Sequence, residues 1–128
     1  MPLKLSVGRG EKLIVNGAVL RNDGEPSNLV FENQAHILRQ KDILTAESAS
    51  TPASRVYLAL QCAYLFPERR AKHVQDFEKL LSQFVSAAPS STSIADEIRA
   101  KAAAGELYLG LKACRKLIDH ESELLVHA

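Results

Sequence analysis

His73 and Asp76 stand three residues apart, and so do His120 and Glu123. On a helix that spacing puts both side chains on one face, where two ligands could begin a metal site. No cysteine or second histidine joins either pair at ligand spacing, and His-Glu-x-x-His is absent. Solvated helix faces account for both pairs. His36 stands alone, and His127, next to the terminus, is expected to fray. Asp42 and Glu47 are two carboxylates near an apolar run, a combination able to act as acid and base. Capping and local pairing with Arg39 or Lys41 explain them more simply. Ser48, Ser50, Ser90, Ser91 and Ser93 fall in loop and cap stretches, with no Gly-x-Ser-x-Gly elbow. Gly8-Arg9-Gly10 is too short to cradle a phosphate, and no Gly-Lys-Ser or Gly-Lys-Thr follows. Cys62 and Cys114 are far apart and form no CxxC, so they read as two buried thiols of a reducing cytoplasm. The chain therefore reads as a non-enzyme without metal or cofactor.

What remains is charge. Lys4, Arg9, Lys12, Arg21, Arg39 and Lys41 lie in the strand-rich N-terminal segment or at its exit, the one candidate surface for RNA. Ordinary outward-facing strand residues would look the same. The whole chain does not decide the matter: 16 Lys and Arg oppose 15 Asp and Glu, without the basic excess of a dedicated nucleic-acid binder. Residues 1–60 carry seven basic and six acidic side chains, and residues 61–128 nine of each, so any RNA surface is a local patch. Phe31 is the single aromatic before Tyr57, which leaves phosphates and base edges, not stacking, as the means of contact.

The elements that would position these residues change period near position 40. Leu3–Val7 alternates apolar and polar, as a half-buried strand does. Gly8-Arg9-Gly10 interrupts it as a bend. Lys12–Val15 and Ala18–Leu20 flank Asn16-Gly17, the strongest short-range hairpin signal, because both central residues of a type I′ turn need positive φ. Asn22–Ser27 is a second turn cluster, and Leu29–Phe31 and Ala35–Leu38 are further strands. Beyond residue 40 the signals are helical. Thr51-Pro52 caps a helix running to about Leu65 that is apolar nearly all round, and so is expected to be buried. An amphipathic helix from about Glu68 to Ala87 follows, with Val74, Phe77, Leu81, Phe84 and Val85 on one stripe. A third spans Ile94–Ala104 before Gly105, a C′ glycine. The last, from Glu106 to about Leu125, is expected to bury Leu107, Leu111, Cys114, Ile118 and Leu125 and to solvate Lys112, Arg115, Lys116, Asp119, Glu121 and Glu123. The expected fold is α+β: a small N-terminal antiparallel β-sheet over residues 1–39 followed by about four helices over 40–128, together one domain of 128 residues. The hydrophobic fraction of 46% suffices for a packed core. The longest apolar stretch, Val56–Phe66, is roughly half of the about 20 residues needed to span a bilayer, and Met1–Val7 lacks the apolar run of a signal peptide, so a soluble cytoplasmic protein is expected.

Several separated segments, in order, resemble one family. They are Met1-Pro2-Leu3-Lys4-Leu5-Ser6, Gly10-Glu11-Lys12, Asn16-Gly17-Ala18-Val19, Leu38-Arg39-Gln40-Lys41-Asp42-Ile43-Leu44, Thr51-Pro52, Tyr57, Tyr64-Leu65 and, later, Arg115-Lys116-Leu117-Ile118. The pattern is similar to that of the FlbT proteins, post-transcriptional regulators of flagellin synthesis in alphaproteobacteria. The resemblance implies an RNA-binding protein that associates with the 5′ untranslated region of flagellin mRNA and represses translation or promotes decay of the message. It also implies an antagonistic small partner, FlaF, and no catalytic residues. Some family members activate, so the resemblance leaves the sign open. Gly10–Gly17 is also similar to the first hairpin of the carbon storage regulator family, small β-proteins that bind message leaders.

Two functional readings stay open. In the first, the six basic residues contact a flagellin leader directly. In the second, the chain is a protein-interaction module that binds FlaF, flagellin or itself through an apolar helix face and acts on expression indirectly, either as repressor or activator. The stripe of Val74, Phe77, Leu81 and Phe84, or that of Leu107, Leu111 and Ile118, would serve, although core packing is the simpler use of both. A short sheet with open edges gains from pairing, which is compatible with a homo-oligomer.

Overall fold

A computed structural model describes residues 3–126. The expectations placed on Met1-Pro2 and on His127 lie outside the described residues. The chain divides into two compact units, Met1–Ile43 and Leu44–Ala128.

Among the described residues the first unit holds five strands: β1 (Leu3–Val7), β2 (Lys12–Val15), β3 (Ala18–Arg21), β4 (Ser27–Phe31) and β5 (Ile37–Arg39). The Asn-Gly hairpin forms as read. Asn16 and Gly17 take φ of 51° and 85°, and β2 pairs with β3 from Lys12↔Arg21 to Val15↔Ala18. The single expected sheet is instead two. β5 returns to β2, giving the order β3-β2-β5, while β1 pairs antiparallel with β4 on its own. The base of the hairpin explains the division. The Asn22 amide donates to the carbonyls of Val7 and Glu25, both at 3.0 Å, and its oxygen accepts from the Gly24 N–H. The N–H of Gly10 (φ 75°) donates to the Asn22 carbonyl, and the Asn22 N–H to that of Glu11. The end of β1, the start of β2 and the entry to β4 are thus tied at one residue, and β1 is turned to β4 instead of extending the hairpin.

The second unit holds α1 (Pro52–Leu65), α2 (Arg70–Ala87), α3 (Thr92–Ala103) and α4 (Leu107–Val126). The α+β class and the four helices are as expected. α2 begins two residues late because Pro67–Arg69 forms a 3-10 turn, and α3 two residues early after a similar turn at Pro89–Ser91. Thr51 caps α1 in a capping box: its hydroxyl accepts from the Ser54 N–H, and the Ser54 hydroxyl accepts from the Thr51 N–H. Gly105, with φ 77°, ends α3 as read. Gln61, the one polar residue inside the apolar run, grips Leu44 with both ends of its amide, at 2.9 and 2.8 Å. A buried amide is tolerated when satisfied in this way.

The core of this unit is built by Val56, Tyr57, Leu60, Ala63, Phe77, Leu81, Ile98, Leu111, Cys114 and Leu117. Several expectations fail. α1 is not covered all round: Leu58, Ala59 and Cys62 are half-exposed. Leu125 is 65% exposed, and Ile118 is half-buried. Glu121, expected in solvent, is buried. Its carboxylate accepts from the Ala53 N–H at 2.9 Å, in the first turn of α1. The free N–H groups and the positive dipole end of α1 satisfy that carboxylate, which is why a charged residue can occupy an inward position of α4.

Candidate nucleic-acid interface

All six basic candidates fall in the first unit, and three of them gather with a fourth nearby. Lys12 opens β2 and Arg21 closes β3, and the two are register partners. Directly opposite residues of an antiparallel pair share a face, so two cations stand side by side. Like charges in that position destabilise a bare ladder and favour an anion above it. Both are exposed. Arg21 meets Asp23 at 3.5 Å, an exposed pair that constrains it little. On the other flank of β2, the Lys12 backbone N–H donates to the Gln40 side-chain oxygen at 2.6 Å. That bond places the 3-10 turn Gln40–Asp42, and exposed Lys41 within it, at the same end of the sheet. Arg9 sits exposed in the bend preceding β2, which Gly10 anchors to Asn22.

The other two candidates do not join this group as phosphate contacts. Lys4 is exposed in the middle of β1, opposite Val30, on the other sheet. Arg39 ends β5 opposite Leu13 and is half-buried. Its guanidinium donates to the Ser6 carbonyl at 2.9 Å and pairs with Glu11 at 3.5 Å. Glu11 in turn accepts from the Gly8 N–H at 2.8 Å. Arg39 is therefore a tie between the two sheets.

Between the sheets lies a hollow of about 170 Å³, walled by Val7, Leu13, Leu20 and Leu29 and rimmed by Glu11, Arg21, Asn22 and Ser27. Asn22 and Glu11 spend their polar atoms on the backbone and on Arg39. What the hollow offers is an apolar seat with Arg21 at its rim; Lys12, next to Leu13 on β2 and so turned to the other face, does not line it. Phe31, half-buried at the end of β4, provides no stacking platform. Asn22 and Gln40 organise this end and were not singled out from the sequence. The Asn-Asp-Gly turn signal marked Asn22 only as a turn.

In the second unit the apolar stripes offered as docking faces are largely interior: Phe77, Leu81, Phe84, Leu107 and Leu111 are buried, while Val74 and Ile118 are half-buried. His120 bonds the Ser90 hydroxyl at 2.9 Å. No group of three or more metal-ligating side chains occurs among the described residues. Among them, too, no helix is long and apolar enough to cross a membrane. Burial pushes the Cys114 thiol up to about 12 despite neighbouring Arg115, and raises Cys62 as well. Cys62 is half-exposed, not buried as expected.

A family model described as "Flagellar protein FlbT" matches residues 3–125. The flagellum biosynthesis repressor protein FlbT of Caulobacter vibrioides is 36% identical over 99% of this chain and 92% of its own length. Proteins of Bradyrhizobium diazoefficiens and Agrobacterium fabrum, each named a probable flagellum biosynthesis repressor FlbT, are 39% and 31% identical. They cover 97% and 96% of this chain, and 85% and 83% of the relatives. No solved structure matches.

Proposed function

Because the chain belongs to the FlbT family of flagellar proteins, we propose that it represses flagellum biosynthesis post-transcriptionally, by binding the 5′ untranslated region of flagellin mRNA. The observation that carries the repressor role is the near full-length match to relatives named repressors. The observation that favours RNA as the ligand is the facing pair Lys12 and Arg21, with Arg9 and Lys41 nearby. Phosphates would lie over these cations, and base edges would supply selectivity. The protein acts by occupying the message, not by catalysis. Lowered translation or faster decay then follows from the bound leader.

Binding of the full chain to a flagellin leader, measured across a salt series beside a scrambled leader, tests the reading. Leader-selective binding that falls steeply with salt supports it. Equal binding of both RNAs, or none at low salt, refutes it. In that event the protein-interaction reading takes its place.

A further inference from the structure

α1 presents an apolar face that the helical unit does not cover. Leu58, Ala59 and Cys62 form the floor of a groove against α2, with Leu80 opposite. The groove holds about 550 Å³, and His73, Asp76 and Lys79 stand along its α2 side. Toward the start of α1 it runs on into a second hollow, lined by Pro52, Phe84, Ala87 and Ala88 and sharing Arg55, Leu80 and Gln83. Arg55 and Lys79 are exposed and have no ion pair among the described residues.

The matching surface is on the same unit. The last turn of α4 exposes Leu124, Leu125 and Val126 at 39, 65 and 77%. Asp119 and Glu123 flank them, exposed and likewise without an ion pair among the described residues. An apolar helix end fringed by two anions therefore meets an apolar groove whose rim carries two cations, Arg55 and Lys79, against the single anion Asp76. The two features also lie at one end of the unit. Glu121 bonds the Ala53 N–H, so the α4 terminus leaves the bundle beside the α1 start, where the groove opens.

We propose that a second copy of this chain docks by seating its α4 terminus, Leu124 to Val126, in the α1–α2 groove, with Asp119 and Glu123 set against Arg55 and Lys79. Because groove and helix end are neighbours, one two-fold axis lets each copy fill the other's groove. Two seats are needed: one helix turn alone falls short of the roughly 1,000 Å² of a specific interface. The closed arrangement also avoids the open chains that head-to-tail contacts generate.

Sedimentation velocity of the full chain over a concentration series tests this, with two charge-reversal variants. One is R55E/K79E in the groove, the other D119K/E123K on the helix end. All four positions are exposed, so the fold should survive, and circular dichroism checks that. The wild type should dimerise, and each variant alone should lose affinity by about tenfold or more as attraction becomes repulsion. An equimolar mixture of the two variants restores both seats, reversed charges facing reversed and native facing native, and should form a heterodimer. A wild type that stays monomeric, reversals without effect, or a mixture that fails to associate would each overturn the proposal.

Discussion

At the scale of single residues, Glu121 shows how position overrides type. Its place among Asp119 and Glu123 near the end of α4 suggests a solvated carboxylate. Yet it is 7% exposed and bonded to the first turn of α1. No periodicity in α4 could reveal this, because the partner is a backbone N–H that is 68 positions away and free only because it begins a helix. A charged acceptor on a buried N–H is worth about 1.5–3 kcal/mol, and its loss also leaves that donor unsatisfied. Glu121→Ala should therefore lower the unfolding free energy by about 2 kcal/mol in urea titration. Glu121→Gln keeps an acceptor and should lose about half as much. The two cysteines give a second contrast. A thiol reagent under native conditions should modify half-exposed Cys62 in dilute protein, where no second copy covers the α1–α2 groove, and faster as rising pH forms its thiolate. Cys114, buried and pushed up to about 12, should react only as the protein unfolds. Mass spectrometry of each cysteine peptide over time checks this.

At the scale of elements, local signals were legible and long-range pairings were not. The Asn16-Gly17 hairpin, the Thr51-Pro52 start and the Gly105 stop each depend on a few adjacent residues, and each forms as read. The pairing of β1 with β4 spans the whole hairpin, and the return of β5 to β2 spans β3 and β4. Neither leaves a local mark, so one sheet was expected where there are two. The candidate site divides in the same way. Lys12 and Arg21 were brought together by a hairpin that the sequence announces. Arg39 was diverted to Ser6 and Glu11 by a crossing that it does not. Gly17 carries the legible part. At φ 85° a side chain costs about 1–2 kcal/mol. Gly17→Ala should lower stability by that amount and, by loosening the hairpin, spread the facing cations. Gly110 marks a different constraint, a close approach of α4 to its neighbours. A Cβ there would lie 3.2 Å from a methyl of buried Leu60 and 3.7 Å from Cβ of Lys101. Gly110→Leu should cost about 1–3 kcal/mol or more through overpacking, read from the same denaturation curves.

For the whole molecule the decisive quantity is how few charges are available. Residues 1–43 hold six basic and five acidic side chains, so no long-range field draws RNA in. If affinity rests on a local cluster, a small number of phosphates sets its salt dependence. For a single strand each neutralised phosphate adds about 0.7 to the slope of log affinity against log salt. Replacing Lys12, Arg21 and Lys41 together by alanine should flatten the slope for the leader by about 2. The scrambled RNA should then bind as weakly as the leader. Arg39→Ala makes the opposite control. Its guanidinium is held by a backbone carbonyl and a carboxylate, so the variant should lose stability in denaturant with little change of slope. A slope that drops with Arg39 and stays with the other three would move the RNA contact off the hairpin end. It would place the contact at the junction of the two sheets, where the apolar hollow opens beside Glu11 and Asn22.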